Sequence, residues 1–198
     1  MPRDAATVIL LREGPEVFLL RRAKGMAFAP GAYVFPGGSV DPADANPVEV
    51  GPAPELGVAP ERARAILRAA VRETFEECGV QLSPELLKPW ARWVTPEIES
   101  RRYDTFFFVA LLPDGAEPDS GTGGESDDGG WFTPETALEA ARMGTVPLMP
   151  PTAATLGELA AAGGLDAIWS QRRSLRPLRP QVTEDDGQLW LVLPEETP

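Results

Sequence analysis

Residues 72–80 read Arg-Glu-Thr-Phe-Glu-Glu-Cys-Gly-Val. A helix turns about 100° per residue, so Glu73, Glu76 and Glu77 share one face by i, i+3 and i+4 spacing. Leu67, Val71, Thr74 and Cys78 fall on the opposite face, which should pack inward. Pro60 suits a first helical position and Gly79 a left-handed stop, which predicts a helix from near Pro60 through Cys78. Three like charges then crowd its last turn. Each like pair at this spacing costs about 0.2–0.5 kcal/mol, and the negative end of the helix dipole adds to the penalty. A solvated acidic face would tolerate this. A divalent cation among Glu73, Glu76 and Glu77 would make the cluster favourable, and oxygen-only ligands favour Mg2+ or Mn2+ over zinc.

Upstream, Phe35-Pro36-Gly37-Gly38 ends an apolar run as a strand entering a tight turn does. Two glycines let backbone approach a ligand or metal closely. Gly38 and Arg72-Glu73-x-x-Glu76-Glu77-x-Gly79-Val80 together resemble the box of the Nudix family, whose pattern is G-x5-E-x7-R-E-U-x-E-E-x-G-U with U aliphatic. The resemblance spans roughly residues 5–160. It implies an α/β fold, the Nudix α/β/α sandwich with a mixed sheet, and hydrolysis of nucleoside diphosphates linked to another group. It also implies Mg2+ or Mn2+ held by Glu73, Glu76, Glu77 and the Gly37 carbonyl, with Gly38 beside the substrate. Arg72 would orient the glutamates, and Glu76 or Glu125 would accept a proton from the attacking water.

Three departures stand against the pattern. The gap from Gly38 to Arg72 is about twenty residues longer, Arg64 stands where counting back from Arg72 places the glutamate, and Thr74 replaces an aliphatic residue. A long insert after Gly37-Gly38-x-x-Asp41-x-x-Asp44 resembles the branch of the peroxisomal coenzyme A diphosphatase and its bacterial relatives. That branch implies coenzyme A or an acyl derivative as substrate. ADP-ribose, NADH, other dinucleotides and nucleotide sugars stay open. So does a Nudix-fold binding or regulatory protein with weak turnover, which Arg64 favours and the three retained glutamates oppose.

Composition narrows the chemistry. The 198 residues suffice for one domain with a substantial core, and the net charge of −12 argues against general nucleic-acid binding. There is no histidine, which excludes a histidine base, a Ser-His-Asp triad and histidine metal ligands. The single cysteine, Cys78, is expected in the core and allows no intramolecular disulfide. No apolar run approaches about 18 residues, and no signal-peptide pattern opens the chain. The expectation is a cytoplasmic protein acting on a small-molecule nucleoside diphosphate derivative, with no membrane and no nucleic-acid partner.

The remaining elements follow from pattern. Ala5–Arg12 and Glu16–Arg22 read as a hairpin, and Ala32–Phe35 as a short strand. Arg21, Arg22 and Lys24 precede the Gly-Gly turn; the resemblance lifts Arg22 as a substrate contact. Asp41 and Asp44 either cap a turn or shape the site. Residues 46–59 read as a Pro/Gly-rich loop, 83–87 as a helical turn, Trp90–Thr95 as a strand and Tyr103–Leu112 as the strongest strand. Arg101 and Arg102 before it resemble substrate-binding arginines of the family. Pro113–Gly130 reads as a loop holding Glu125, with Asp127 and Asp128 as rivals for its role. Trp131-Phe132 enters the last core strand, and Thr133 caps a helix to about Met143. Pro147–Pro151 reads as a rigid link, and Thr152 as the cap of a second helix to Ala162. Pro150-Pro151-Thr152 is similar to a family segment near the substrate pocket. The division expected is residues 1–164 as the Nudix domain and 165–198 as a C-terminal extension on or beside it. In the extension Arg172, Arg173, Arg176 and Arg179 form a basic patch open to a solvated arm, a homodimer contact or a phosphate contact, and Gln188–Leu193 could add an edge strand.

Overall fold

The computed structural model describes residues 1–26, 29–45, 56–121, 124–185 and 188–192. Strands β1 (Arg3–Arg12) and β2 (Glu16–Arg22) form the expected hairpin. They are followed by β3 (Tyr33–Val34), β4 (Gly37–Ser39) and the long helix α1 (Pro60–Cys78). Next come β5 (Lys88–Val94), β6 (Tyr103–Leu111) and β7 (Ser126–Phe132). Helices α2 (Pro134–Arg142) and α3 (Pro150–Ala162) complete the sandwich. Within the sheet the order is β3-β2-β1-β6-β5, with β4 also on β1 and β7 on β2.

Strands β1 and β6 run parallel at the centre and are buried on both faces, hence their near-continuous apolar sequences. Alternation splits them between two cores. Val8, Leu10, Phe106 and Phe108 pack with Ile66, Leu67 and Ala70 of α1. Ile9, Leu11, Phe107 and Val109 pack with Ala137 of α2 and Leu156 and Leu159 of α3. This is the mixed-sheet α/β/α architecture that the box implied.

The partner of β1 changes along its length. Leu11 faces Val17 of β2, whereas Thr7, Ala6 and Ala5 face Gly37, Gly38 and Ser39 of β4. Between them the Val8 N–H donates to the Pro36 carbonyl at 2.8 Å. The Gly-Gly turn thus enters the sheet where the hairpin strand leaves it, and α1 lies alongside.

Several boundaries differ from expectation. Strand β7 begins at Ser126, inside the expected loop, because 126–132 pairs antiparallel with β2 despite its Asp-Asp-Gly-Gly content. Helix α3 begins at Pro150 with Met149 as N-cap; Thr152 is a buried residue of its first turn, not a cap. The tail forms α4 (Leu165–Ser170) and a separate hairpin of β8 (Gln181–Asp185) and β9 (Gln188–Val192), not an edge strand of the main sheet. Ile168 of α4 is fully buried against the α3 side, and Leu178 bridges to Trp93 of β5. Arg173 leaves the basic patch: its guanidinium lies 4.3 Å from the Trp90 ring and pairs with Glu158. Most of the loop expected over 46–59, residues 46–55, lies outside the described residues, and Leu56 at its end is buried. Among the described residues no helix is long and apolar enough to cross a membrane.

Candidate active site

Helix α1 ends as its sequence prescribes. Gly79 adopts φ 72°, and its N–H returns to the Phe75 carbonyl. Thr74 and Cys78 are buried with 0% exposure, fixing the helix rotation; burial also pushes the Cys78 thiol up to about 12, so it stays protonated and inert. The opposite face then presents Glu73 and Glu77 to the Gly-Gly turn. The Gly37 N–H donates to Glu77 Oε2 at 2.8 Å. Gly38 matters through what it lacks: a Cβ there would lie 2.4–2.6 Å from the Glu73 carboxylate atoms. At Gly37, with φ 156°, a Cβ would lie 2.3 Å from the Ala6 carbonyl oxygen. Gly37 is therefore required by the sheet backbone, whereas a side chain at Gly38 would displace the Glu73 carboxylate.

Burial dominates the electrostatics. Desolvation pushes the Glu77 carboxyl up to about 7, with Glu73 and Glu125 adding repulsion and the Gly37 N–H and Arg22 opposing it. Glu73 is also raised, first by burial, with Arg72 opposing and Glu76 and Glu125 adding to the rise. Glu73 and Glu77 thus both sense the charge of Glu125, although it comes from the segment before β7. Its carbonyl accepts from the Ala23 N–H at 2.8 Å, just beyond Arg22.

Arg72 is the hub. It donates to Glu73 at 2.9 Å, to Glu76 at 3.0 Å and to the Ser39 carbonyl at 3.1 Å. A bidentate pair to Asp44, at 3.1 and 2.8 Å, anchors it. Asp44 is 5% exposed and also accepts from the Asp41 N–H. Burial works against its charge, but Arg72 and that N–H hold it below the usual carboxylate range. Of the two roles considered for the Asp pair, both occur: Asp41 caps the 3-10 turn at Pro42–Ala45, and Asp44 shapes the site.

This revises the place of the supposedly absent acid. Counting back from Arg72 reaches Arg64, which pairs with Glu61 at 3.5 Å on the helix. Counting forward from Gly38, five intervening residues lead to Asp44. The acidic position is filled, by aspartate, and the insert lies after it. A count from both ends of the pattern would have found this.

The other candidates separate. Asp127 and Asp128 are engaged by Arg21, at 2.6 and 3.5 Å, across the irregular β2–β7 register. Glu125 is the acid of this segment that the buried glutamates feel. Arg22 lies close enough to Glu77 to influence it. Arg101 is exposed, and Arg102 instead donates to the Thr95 carbonyl at 3.1 Å. On the α3 side of the sheet, a cavity of about 290 Å3 opens among Thr7, Phe35, Trp93, Phe107 and the Pro150-Pro151-Thr152 segment. Thr7 is the register partner of Gly37, so cavity and turn meet at one strand position. The buried Trp93 Nε1 has no hydrogen-bond partner among the described residues.

Glu73, Glu76, Glu77 and Glu125 fit a hard divalent cation in donor type and charge, since the half-buried Glu73 and Glu77, repelled by neighbouring carboxylates, are relieved by one. As arranged here, with Glu73 and Glu76 turned to Arg72, no three acidic side chains among the described residues are gathered into a cage. Glu76 and Glu125 are exposed and have freedom to close.

A sandwich with a glycine turn against a carboxylate helix defines a class, and comparison agrees. The profile of the NUDIX domain matches residues 1–150, and the chain belongs to the Nudix family. It is a Nudix hydrolase, of the class that cleaves diphosphate linkages with the help of divalent cations. Nudix hydrolase 7 of Caenorhabditis elegans is 28% identical over 94% of this chain and 70% of its own length. An acyl-coenzyme A diphosphatase of Xenopus laevis is 25% identical over 69% of this chain, which spans 57% of that relative's length. A NUDIX hydrolase crystal structure from Alicyclobacillus acidocaldarius superposes with TM-score 0.70 at 28% identity, over 86% of this chain and 96% of that one.

Proposed function

We propose that this chain hydrolyses the diphosphate linkage of coenzyme A or an acyl-coenzyme A, with Mg2+ or Mn2+ held by Glu73, Glu76 and Glu77 and the Gly37 carbonyl. The observation that carries the catalytic part is the packing of Glu73 and Glu77 against a turn with no Cβ, where burial raises both carboxyls. The substrate part is supported by the similarity to the Xenopus laevis acyl-coenzyme A diphosphatase and by the long insert after Asp44.

Each residue then has a task. The Gly37 N–H holds one oxygen of Glu77. Arg72, tied to Asp44, fixes Glu73 and Glu76. A bound divalent cation supplies charge neutralisation at the diphosphate oxygens and a more acidic water. Glu125 or Glu76, both exposed, accepts the proton of the attacking water. Arg22 adds positive charge beside Glu77, where a phosphate oxygen would arrive. The products are two fragments, each ending in phosphate.

The test is product release, with and without Mg2+ or Mn2+, from coenzyme A, acetyl-coenzyme A, ADP-ribose, NADH and diadenosine polyphosphates. Metal-dependent cleavage of the coenzyme A substrates at the highest kcat/KM supports the reading. Preferred cleavage of ADP-ribose or a dinucleotide would overturn the substrate and keep the site.

A further inference from the structure

The segment between α4 and β8 lies beyond residues 1–150, the span that the NUDIX profile matches, yet it crosses the edge of the main sheet. Strand β5 ends the sheet order, so its outer backbone groups need partners. The tail supplies them. The Leu178 N–H donates to the Arg92 carbonyl at 2.7 Å, and the Val94 N–H donates to the Leu178 carbonyl at 2.8 Å. Leu175 packs on the α1-side core and Leu178 on the α3-side core, so the chain wraps around β5 from one face to the other. Pro177 and Pro180 limit its backbone freedom.

Arg173 latches this segment at its start. Its guanidinium stacks on the Trp90 ring and its Nε donates to the Trp90 carbonyl at 3.3 Å. It also pairs with Glu158 of α3, which accepts from Trp90 Nε1 at 2.9 Å. At the far end of the segment the buried Pro180 lines the apolar cavity together with Trp93 and Val94 of β5. A matching closure stands at the β3 end of the sheet order. There the Tyr33 N–H donates to the Pro147 carbonyl at 2.8 Å, Leu148 bridges to Tyr33, and Met149-Pro150-Pro151-Thr152 then lines the same cavity. Thr7 brings the cavity to the Gly-Gly turn, since its Oγ1 lies 2.6 Å from where a Cβ on Gly37 would be.

We infer that tail residues 173–180 form a working wall of the substrate site, and that the cavity they close takes the uncharged arm of the substrate. This rests on the coenzyme A reading above and deepens it. Charge selects the arm. Among the described residues that line the cavity there is no lysine or arginine, and the one charged side chain is the exposed Glu99. A nucleoside with a second phosphate would carry a dianion there without a cation to pair it. The pantetheine arm of coenzyme A brings methyl, methylene and amide groups and no charge. The volume of about 290 Å3 stands at the low end for ligand pockets, which run from about 300 to 1,000 Å3. It suits one arm of coenzyme A rather than the whole molecule.

The experiment has a binding half and a turnover half, both on the full chain. Amide hydrogen exchange is followed at Val94 and Leu178, whose N–H groups join tail and sheet. The two halves of coenzyme A, 4′-phosphopantetheine and adenosine 3′,5′-bisphosphate, are added separately with Mg2+. Phosphopantetheine is expected to slow exchange at both amides and the bisphosphate to leave it unchanged. Turnover then compares wild type with Arg173→Ala, which frees the latch, and Pro180→Gly, which removes wall and leaves the latch. Each is expected to raise KM about 5- to 20-fold with kcat within about twofold, as loss of part of an apolar contact implies. Arg173→Lys keeps the charge opposite Glu158 and should restore part of the KM. A lower melting temperature with unchanged KM in both variants would make the tail a structural tie and overturn the wall. Slowed exchange with the bisphosphate alone would overturn the uncharged arm. If another substrate is cleaved in place of coenzyme A and both variants raise its KM, the wall stands and the substrate proposed above falls.

Discussion

At the residue scale, Glu77 joins the helix to the turn, and its burial has two opposed consequences. The carboxyl is raised to about 7 mainly by desolvation, so its charge is a burden without a cation and useful with one. Glu77→Gln keeps the volume and a hydrogen-bond acceptor for the Gly37 N–H but removes the charge. Turnover should fall by about 10²-fold or more, while the metal-free protein at pH 8 melts at the same temperature or higher. Paired kcat and thermal-melt measurements check this; near-normal kcat would remove Glu77 from the site. Gly38 offers a steric test. Alanine there drives its Cβ to within 2.4–2.6 Å of the Glu73 carboxylate. Glu73 must turn away, so Gly38→Ala is expected to lose most activity while circular dichroism stays native.

At the element scale, α1 was legible because its boundaries are chemical. Pro60 and Gly79 mark its ends, and the apolar positions between them set its rotation. Strands β1, β2 and β6 were legible for the same reason, since their apolar runs match two-sided burial. Other boundaries follow from partners rather than local preference. Ser126–Gly130 is poor strand sequence, yet β2 pairs with it through Arg22↔Ser126. In the tail, Asp186-Gly187 between two β-type runs is a local hairpin signal that an edge-strand reading of Gln188–Leu193 alone overlooks. The link from Asp44 to Arg72 was hidden by 28 residues of separation, most of them in the insert. It also joins two elements, the 3-10 turn at Pro42–Ala45 and α1. Asp44→Asn leaves Arg72 without its bidentate anchor and should cost about 2–3 kcal/mol of stability. Because Arg72 then holds Glu73 and Glu76 less firmly, kcat should fall more than KM rises. Urea titration and steady-state kinetics read the two effects separately, and a stability loss with unchanged kcat would make the pair a structural tie alone.

At the scale of the whole molecule, the charged groups divide into two sets with opposite pH behaviour. Asp44 and Asp104 are held below their ordinary values, by Arg72 and by Arg92 with Arg62, against the cost of burial. Their contribution is present above the unfolded value near 3.8 and is lost as pH falls through the folded one. Glu73 and Glu77 are raised, chiefly by burial. For them the folded state binds protons more tightly, so stability declines as pH rises from the unfolded value near 4.5 through about 7. The Glu77 shift alone amounts to about 3 kcal/mol over that window. Metal-free protein should therefore be most stable near pH 4–5 and melt progressively lower toward pH 8. A divalent cation reverses the second branch because it binds the charged form that burial disfavours. At about 100 times its dissociation constant it adds about 2.7 kcal/mol, and the gain should be larger at pH 8 than at pH 5. Thermal melts across pH 4–9, with Mg2+ or Mn2+ against chelator, read both branches. A metal-free stability that rises steadily to pH 8, or a cation shift absent at pH 8, would mean that Glu73 and Glu77 do not form the charged cluster on which the site depends.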